Sequence, residues 1–475
     1  MVSAPTARAS GRSGTRLDLA VLAVASVALR IPAFVAGRHV TFDDGVFGAS
    51  AVAMRVGGQP FRDVFSSQGP LFLPLLWLGD LLGFRTTNSP RVIAVVAGVA
   101  LAVGVYLTGR LVADRVGALL AAALTTACAS VLWVSGPIAA DSVALAFAVA
   151  TVFLALRWRD DVTLRRGIVL GLGISATISV KALLAPVIVP VALVMLAGRR
   201  LGPILAGAAT AVGVHLLLWL PWGPGDVWEQ SYGYHLEVAG DRTPGANLAK
   251  IASTLGDRDL PLLVALGLAL VAIVGRRRAR EPWASPRLLA PDTLLLAWLA
   301  TTVLVLLTEH PMWRPHVSQL VPPLALLAAR HRPSTRVLLV AMALTIPYHL
   351  VHAWPILQPS EYADASKEAV QLLRSLPEGA LAISDDPGIV WRAGRRTPPD
   401  LVDASILRIE TGGITAASIA AAADQPDVCA VVVRSRARWG SFVDLPRRLT
   451  AVGYEVAAGN GRSQRVYVAP DCDPP

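Results

Sequence analysis

Long apolar runs dominate this sequence and limit what it can fold into. An α-helix needs about 20 predominantly apolar residues to cross a bilayer. Only 16% of the residues are charged, against roughly 25% in soluble domains, so a soluble enzyme and a disordered chain are both excluded. The sequence therefore predicts a polytopic α-helical membrane protein with about 11 spans. The runs lie near residues 17–37, 91–109, 116–135, 141–157, 167–184, 185–198, 201–221, 259–275, 288–308, 316–329 and 334–354.

The basic residues predict how these spans are oriented. If the N-terminus is cytoplasmic, almost every arginine cluster between spans falls on the cytoplasmic side, as the positive-inside rule requires. Arg85 and Arg91 are the exceptions, because they would lie outside. The first run is longer than the core of a signal peptide, so we interpret it as a retained span. Residues 1–16 then form a cytoplasmic tail and residues 17–354 a membrane module.

One further apolar stretch, residues 70–84, is too short for a simple span. It has 15 residues and contains Asp80, so we interpret it as a helix half-embedded at the membrane interface. If it crossed the membrane instead, every later basic cluster would move to the opposite side. The distribution of charge therefore favours eleven spans over twelve.

The last part of the chain, residues 355–475, has a different pattern. It holds 13 basic and 15 acidic residues. Its sequence predicts strands at 380–384, 428–433 and 465–468 and helices at 415–424 and 445–450. We expect a small soluble α/β domain, which an odd number of spans places outside the cytoplasm. Cys429 and Cys472 both lie in it, so a disulfide is chemically permitted there, with two free thiols as the alternative.

Three carboxylates at the predicted outer membrane edge are candidates for catalysis. Asp43 and Asp44 lie in the first outer loop, residues 38–69, and Asp141 lies at the start of the fourth span. Ionisable groups in such places are costly and often functional, and a carboxylate partly shielded from water is a good general base for a hydroxyl. The alternative is a structural role at a helix N-terminus, where Asp is common.

Cationic groups are predicted on the same face. Lys181 lies between two spans, and His310, Arg314 and His316 occupy the segment before the tenth span. Such groups can donate charge-assisted hydrogen bonds to a phosphate, although a lone lysine can also extend to the interface. The histidines and carboxylates do not have a known metal-ligand spacing, so the sequence predicts no metal ligand set and no cofactor, and leaves dependence on a divalent metal open. A base beside cations is what transfer from a phosphate leaving group requires.

Several motifs, in this order, resemble a known family. They are F-D-D-G-V-F at 42–47, G-G-Q-P-F-R-D-V-F at 57–65, Q-G-P-L-F at 68–72, A-A-D-S at 139–142, S-V-K-A at 179–182 and H-P-M-W-R-P-H at 310–316. Together they resemble the polyprenyl-phosphate-sugar-dependent membrane glycosyltransferases of the GT-C fold, family 39-like, which include protein O-mannosyltransferases, aminoarabinose transferases and Rgt-like groups. The similarity covers most of residues 17–350. Two positions depart from the family pattern: Asp44 replaces a usual Glu, and Gly69 replaces the first Pro of a P-P pair.

The resemblance implies a reaction and roles for the candidate residues. A sugar would pass, with inversion, from a polyprenyl-phosphate donor to a hydroxyl of a cell-envelope glycan, lipid or protein, at the outer face of a bacterial plasma membrane. Asp43 would be the catalytic base, and Asp44 or Asp141 would orient the base or the acceptor. No nucleic-acid partner is expected. The residues that would hold the lipid phosphate are Lys181, His310, Arg314 and His316.

Two other classes of function remain open from the sequence. A transporter or flippase of a lipid-linked or anionic substrate predicts charged groups deep in the spans, broken helices and internal repeats. A membrane scaffold with an outer binding domain predicts no convergence of the acidic and basic candidates. The enzyme interpretation requires Asp43, Asp141 and the segment 310–316 to meet at one cavity.

Overall fold

The computed structural model describes residues 8–237, 243–278, 289–459 and 464–472. Seventeen helices of the described chain belong to the membrane module. The first nine are α1 (Arg8–Val35), α2 (Phe42–Arg55), α3 (Phe72–Leu82), α4 (Val92–Val112), α5 (Arg115–Ala127), α6 (Ala129–Ser135), α7 (Ala140–Trp158), α8 (Leu164–Val180) and α9 (Ile188–Ala197). The others are α10 (Leu201–Leu217), α11 (Pro224–Trp228), α12 (Tyr234–Glu237), α13 (Pro244–Arg258), α14 (Leu260–Arg278), α15 (Pro291–Thr308), α16 (Val321–Arg330) and α17 (Thr335–Leu357).

Each apolar run of the sequence coincides with a helix or a broken helix. Among the described residues, six helices are long and apolar enough to cross a membrane, or up to eight if two bent pairs each form one span. The bends are 59° between α5 and α6 and 101° between α13 and α14. The three remaining runs form the shorter helices α8, α9 and α16. The chain is a multi-pass membrane protein, and the count of eleven stays a prediction.

The short stretch 70–84 forms α3, which packs beside α2 and is too short to span. Its Asp80 is buried and receives two hydrogen bonds from the Arg55 guanidinium, at 2.6 and 2.8 Å, and another from the Ser89 hydroxyl. A bidentate arginine supplies the charge that a buried carboxylate needs. The pair therefore fixes α3 against the end of α2.

The loops of the membrane module separate into two groups. At one end, Arg115 donates two hydrogen bonds to Asp18 at 2.7 and 2.8 Å, and Arg332 pairs with Asp114 at 2.6 Å. At the other end, the segments that carry Asp44, Asp141, Lys181 and Gly69 bond to one another. The first group contains two of the arginine-rich segments that the sequence predicts to be cytoplasmic, 110–115 and 330–336. The second contains the acidic and basic candidates.

The C-terminal domain is a three-layer α/β sandwich. Its sheet has the order β1-β2-β4-β3, in which β1 and β2 are parallel and the other pairs are antiparallel. Two apolar clusters cover opposite faces of the sheet, and residues 430–433 of the fully buried β2 alternate between them. The elements are β1 (Leu381–Ser384), β2 (Val428–Val433), β3 (Glu455–Ala458), β4 (Arg465–Val468), α18 (Asp364–Ser375), α19 (Pro387–Arg392), α20 (Ile406–Glu410), α21 (Ala416–Ala423) and α22 (Leu445–Ala451).

A disulfide joins Cys429 of β2 to Cys472 after β4. Of the two alternatives that the sequence leaves open, the structure therefore has the bridge. The Cα atoms of the two cysteines are 5.5 Å apart, within the usual range for a disulfide. The bridge ties the last described residues of the chain to the central strand.

The C-terminal domain docks tightly on α2 of the membrane module. Trp391, buried in α19, lies against Gly48, and the Gly388 backbone lies against Gly45. Asp386 pairs with His39 at 2.9 Å, and the Arg438 guanidinium lies 4.4 Å from the ring centroid of Phe42. Because α2 contributes two glycines to this contact, backbone and ring approach closely. The domain thus packs directly behind the loop that carries Asp43.

We predict that Gly48→Ala separates the domain from α2. A Cβ at Gly48 would lie 2.2 Å from Trp391 Cδ2, so the buried ring must move, at a cost of about 1–3 kcal/mol. Gly213→Ala is the matched control, since nothing lies within 4 Å of its Cβ position. We expect a lower Tm in detergent for Gly48→Ala and an unchanged one for Gly213→Ala. Equal Tm values for the two variants would contradict this account of the docking.

Candidate active site

Asp44 is a fully buried carboxylate with four hydrogen-bond donors. It lies in the first turn of α2, after the N-cap residue Thr41. Arg91 donates at 3.1 and 2.5 Å, and the backbone N–H groups of Val40 and Ile138 donate at 2.8 and 3.0 Å. Burial alone would raise the pKa of Asp44, but the Arg91 charge and these bonds outweigh it and hold the pKa below its ordinary value.

Arg91 joins this pair to the end of the first span. Its guanidinium also donates to backbone carbonyls at the C-terminus of α1, including Ala36 at 3.2 Å and Arg38 at 2.7 Å. These carbonyls lack helical partners, and a cation is favourable there. The position of Arg91 also explains why it departs from the positive-inside pattern. It is a buried counter-ion, with no exposed side-chain surface.

Asp43, the neighbouring residue, has the opposite environment. Within the described chain, no hydrogen bond reaches its carboxylate, which keeps part of its surface open to solvent. Burial by the surrounding protein raises its pKa to about 6. Lys181 and His316 act against that rise, while the negative charges of Asp141 and Asp403 add to it. Asp43 therefore lies within electrostatic range of these four groups, and we use the word recess for the region that they surround.

Asp141 and Lys181 form a buried ion pair in this recess. Asp141 lies in the first turn of α7, and Lys181 follows the last residue of α8. Their Nζ and Oδ2 atoms are 2.8 Å apart, and neither side chain is more than 12% exposed. The lysine is thus held by a carboxylate and does not extend to the interface. Since an ammonium has three N–H groups, it retains donors for a further anion.

The first outer loop, residues 38–69, is hydrogen-bonded to the end of α8 at Gly69. The N–H of Gly69 donates to the Val180 carbonyl at 3.1 Å, and the N–H of Leu71 donates to the Ser179 carbonyl at 2.9 Å. A Cβ at Gly69 would lie 2.3 Å from the Ser179 carbonyl oxygen. The departure from the family's proline therefore has a steric reason. The contact brings the loop next to Lys181.

The structure separates the three cationic candidates of the segment 310–316. His316 lies near Asp43 and Asp141, and its Nδ1 is 2.6 Å from Glu309 Oε1. Arg314 is 46% exposed and pairs with Asp257 of α13 at 3.3 Å. His310 is half-buried. Among the described residues, only His316 of the three is close enough to Asp43 and Asp141 to interact with them electrostatically.

Asp403, which the sequence analysis did not find, reaches the recess from the C-terminal domain. It is buried in the loop before α20, accepts the Ser405 N–H at 2.9 Å, and has a pKa raised by burial. The loop is held against the membrane module by Ser405, whose hydroxyl is 3.2 Å from the Tyr234 hydroxyl. Arg408 also lies 4.1 Å from the ring centroid of Phe65. No local motif marks Asp403, since only domain docking brings it near Asp43.

His235 is a second residue that the sequence analysis missed. The residue is exposed, and its Nε2 is 3.1 Å from the Ser67 carbonyl oxygen of the first outer loop. It is close enough to Lys181, His316 and Asp403 to be coupled to them. The recess thus combines three carboxylates, one lysine and two imidazoles. This set can accept a proton at Asp43 and stabilise a phosphate at Lys181 and the histidines.

The comparisons with known proteins agree with this architecture. Residues 67–222 match the model of a family described as dolichyl-phosphate-mannose-protein mannosyltransferase. The structure of ArnT from Cupriavidus metallidurans bound to undecaprenyl phosphate is similar, with 15% identity, 98% of this chain and 100% of that chain covered, and a TM-score of 0.61.

A second solved structure has the same overall arrangement. It is the oligosaccharyltransferase AglB from Archaeoglobus fulgidus in complex with an inhibitory peptide and a dolichol-phosphate, with 12% identity, 89% of this chain and 69% of that chain covered, and a TM-score of 0.54. A search of curated proteins found no match. The chain thus has the GT-C fold of membrane glycosyltransferases. This confirms both the resemblance in the loop motifs and the predicted fold class.

We predict opposite effects on stability for the two adjacent aspartates. Asp44→Asn or Arg91→Gln leaves a buried charge without its partner, which costs about 3–5 kcal/mol. The folded-state pKa of Asp43 lies above its ordinary value of 3.8, so ionisation of Asp43 costs stability as the pH rises between about 4 and 6. Asp43→Asn removes that cost, and its Tm at neutral pH should equal or exceed that of wild type.

Thermal unfolding of the purified variants in detergent measures these effects. The double variant Asp44→Asn/Arg91→Gln tests whether the two residues interact. Its loss of stability should be smaller than the sum of the losses in the two single variants. A Tm for Asp44→Asn equal to that of Asp43→Asn would contradict the distinction between the two carboxylates.

Proposed function

We propose that this protein is a membrane glycosyltransferase that moves a hexose or pentose from a polyprenyl-phosphate donor to a hydroxyl of a cell-envelope acceptor. The observation that carries the proposal is the Asp43 carboxylate, free of hydrogen bonds within the described chain, with a pKa raised to about 6 by burial beside Lys181. ArnT and AglB have the same fold, and their structures hold undecaprenyl phosphate and a dolichol-phosphate. The family match over residues 67–222 also supports the proposal.

Asp43 acts as the general base in a single displacement. The acceptor hydroxyl gives its proton to Asp43 while its oxygen forms a bond to the anomeric carbon of the sugar. The bond between that carbon and the phosphate oxygen breaks on the opposite side, so the configuration inverts. A base with a pKa of about 6 is ionised at neutral pH and still basic enough to assist the attack.

The departing lipid phosphate is stabilised by Lys181 and His316. Each is held by a carboxylate, Asp141 at 2.8 Å and Glu309 at 2.6 Å, so each is oriented before the phosphate arrives. Asp141 therefore orients a phosphate-binding lysine. His310 and Arg314 lie in the same segment and contribute at longer range.

Asp44 positions the base and does not meet the substrate. All four of its hydrogen bonds are made to protein, and its side chain has no exposed surface. It holds the first turn of α2 in place, and Asp43 projects from that turn. Adjacent residues on a helix point about 100° apart, so one can be buried while the other faces the recess.

The recess faces the outside of the plasma membrane, and the N-terminus lies in the cytoplasm. The arginine-rich loops group at the end opposite to Asp43, as the positive-inside rule expects of a cytoplasmic end. The Cys429–Cys472 disulfide supports an extracytoplasmic C-terminal domain, since disulfides persist in oxidising compartments. Asp403 of that domain faces the acceptor side of the recess.

The proposal predicts the pH dependence and the effect of Asp43→Asn. Purified protein is incubated with radiolabelled polyprenyl-phosphate sugars and envelope acceptors, and transfer is measured. The rate should fall about tenfold per pH unit below about pH 6, because a protonated base cannot accept a proton. Asp43→Asn should lose about 10²–10⁴-fold in kcat while retaining donor binding. Full activity of Asp43→Asn, or movement of the lipid without transfer, would overturn the proposal.

Replacement of Lys181 should weaken binding of the donor, whereas replacement of Asp403 should weaken binding of the acceptor. Lys181→Gln removes the cation nearest the lipid phosphate, so we expect the donor KM to rise about tenfold or more. Asp403→Asn should raise the acceptor KM and leave the donor KM unchanged. Arg314→Gln is the comparison variant for Lys181, since this half-exposed arginine is already paired with Asp257, and its effect should be smaller. Equal effects of Lys181→Gln and Arg314→Gln on the donor KM would contradict this assignment.

A further inference from the structure

A second recess lies beneath the C-terminal domain, and none of its lining residues is among those coupled to Asp43. Its volume is about 280 Å³, several times the roughly 30 Å³ that one water occupies in the liquid. The polar residues of its lining include Arg38, Ser360, Glu361, Tyr362, Lys367 and Arg374.

The ends of two spanning helices place this recess at the membrane edge. α1 ends at Val35 and α17 ends at Leu357, and the recess is lined by residues that follow each end within a few positions. The two helices pack against each other, and Arg38 Nη1 donates to the Ser360 carbonyl at 3.4 Å. The adjoining parts of α1 and α17 have exposed apolar side chains, such as Val35 and Val351. A ligand in the recess would therefore have its polar part in the interface and any acyl chains beside α1 and α17.

The lining has an excess of positive charge. It contains three cations, Arg38, Lys367 and Arg374, against one carboxylate, Glu361. Glu361 pairs with Lys367 at 2.5 Å but is 84% exposed, and exposed ion pairs contribute little and exchange readily. Arg374 donates one N–H to the Arg392 carbonyl at 3.1 Å, and among the described residues its other guanidinium N–H groups have no hydrogen-bond partner. The three cations can therefore turn toward one anion.

We propose that this recess binds the phosphate of an anionic phospholipid headgroup. A cationic patch at the end of a membrane-spanning helix attracts anionic lipids, by about 1 kcal/mol per basic residue near the surface. The lining here is polar and roomy enough for a glycerol headgroup, and it opens beside exposed apolar helices. The site differs from the donor-binding recess in its residues and in its neighbours. The proposal does not depend on catalytic activity.

Retention of lipids on the purified protein tests the proposal. Full-length protein in detergent is titrated with phosphatidylglycerol or phosphatidylcholine, and bound lipid is counted by native mass spectrometry. We expect phosphatidylglycerol to bind about tenfold more tightly than phosphatidylcholine. Lys367→Gln/Arg374→Gln should lower the affinity for phosphatidylglycerol about tenfold or more. Arg447→Gln/Arg448→Gln removes the same charge from an exposed part of the same domain and should change nothing.

A second variant and a soluble ligand complete the test. Arg38→Gln, on the membrane module, should lower the same affinity about fivefold, so the result does not rest on the domain variant alone. Glycerol phosphate distinguishes a free phosphate from a lipid. If it binds as tightly as phosphatidylglycerol and with the same dependence on Lys367 and Arg374, the lipid assignment is wrong. Equal retention of phosphatidylglycerol by wild type and by both recess variants would also overturn it.

Discussion

The buried ion pair between Arg91 and Asp44 is the interaction on which the end of the protein that carries the candidate site depends. Arg91 bonds to the C-terminal carbonyls of α1, and Asp44 receives N–H groups from the segments before α2 and α7. The Arg91 guanidinium also lies 5.4 Å from the ring centroid of Trp391 in the C-terminal domain. One ion pair thus joins three segments of the membrane module to the domain outside it. Because both charges are fully buried, removal of either one would leave the other unpaired in the protein interior and destabilise the fold.

This pair allows two adjacent carboxylates to differ in chemistry. Asp44 receives four hydrogen bonds and its pKa lies below the ordinary value, whereas the Asp43 carboxylate receives none from the described residues and burial raises its pKa to about 6. Environments that push two such pKa values apart distinguish a structural acid from a catalytic base. The docked domain contributes to the difference, since it adds the negative charge of Asp403. Domain docking on Gly45 and Gly48 therefore affects the electrostatic environment of Asp43.

Much of the fold and part of the site can be predicted from the sequence. The apolar runs correspond to helices, and the strands at Leu381–Ser384, Val428–Val433 and Arg465–Val468 lie where alternation and β-branched residues predict them. The edge strand Glu455–Ala458 was missed, because its residues are largely exposed and carry a weak pattern. In the site, the motifs that contain Asp43, Asp141, Lys181 and His316 come together. Arg314 shares a motif with His316 but pairs elsewhere, since neighbours in a short segment point in different directions.

The sequence by itself determined the membrane fold and the end of the molecule at which the charged motifs collect. This was possible because a membrane-spanning helix is recognised from its own apolar residues, and the side of the membrane on which a loop lies is predicted from the basic residues of that loop. Only the tertiary structure decided which of two adjacent aspartates receives no side-chain hydrogen bond from the described residues, why Arg91 lies buried, and that Asp403 lies near Asp43. These properties depend on burial and on charges brought close through space, and contacts between distant segments of the chain leave no local pattern to read.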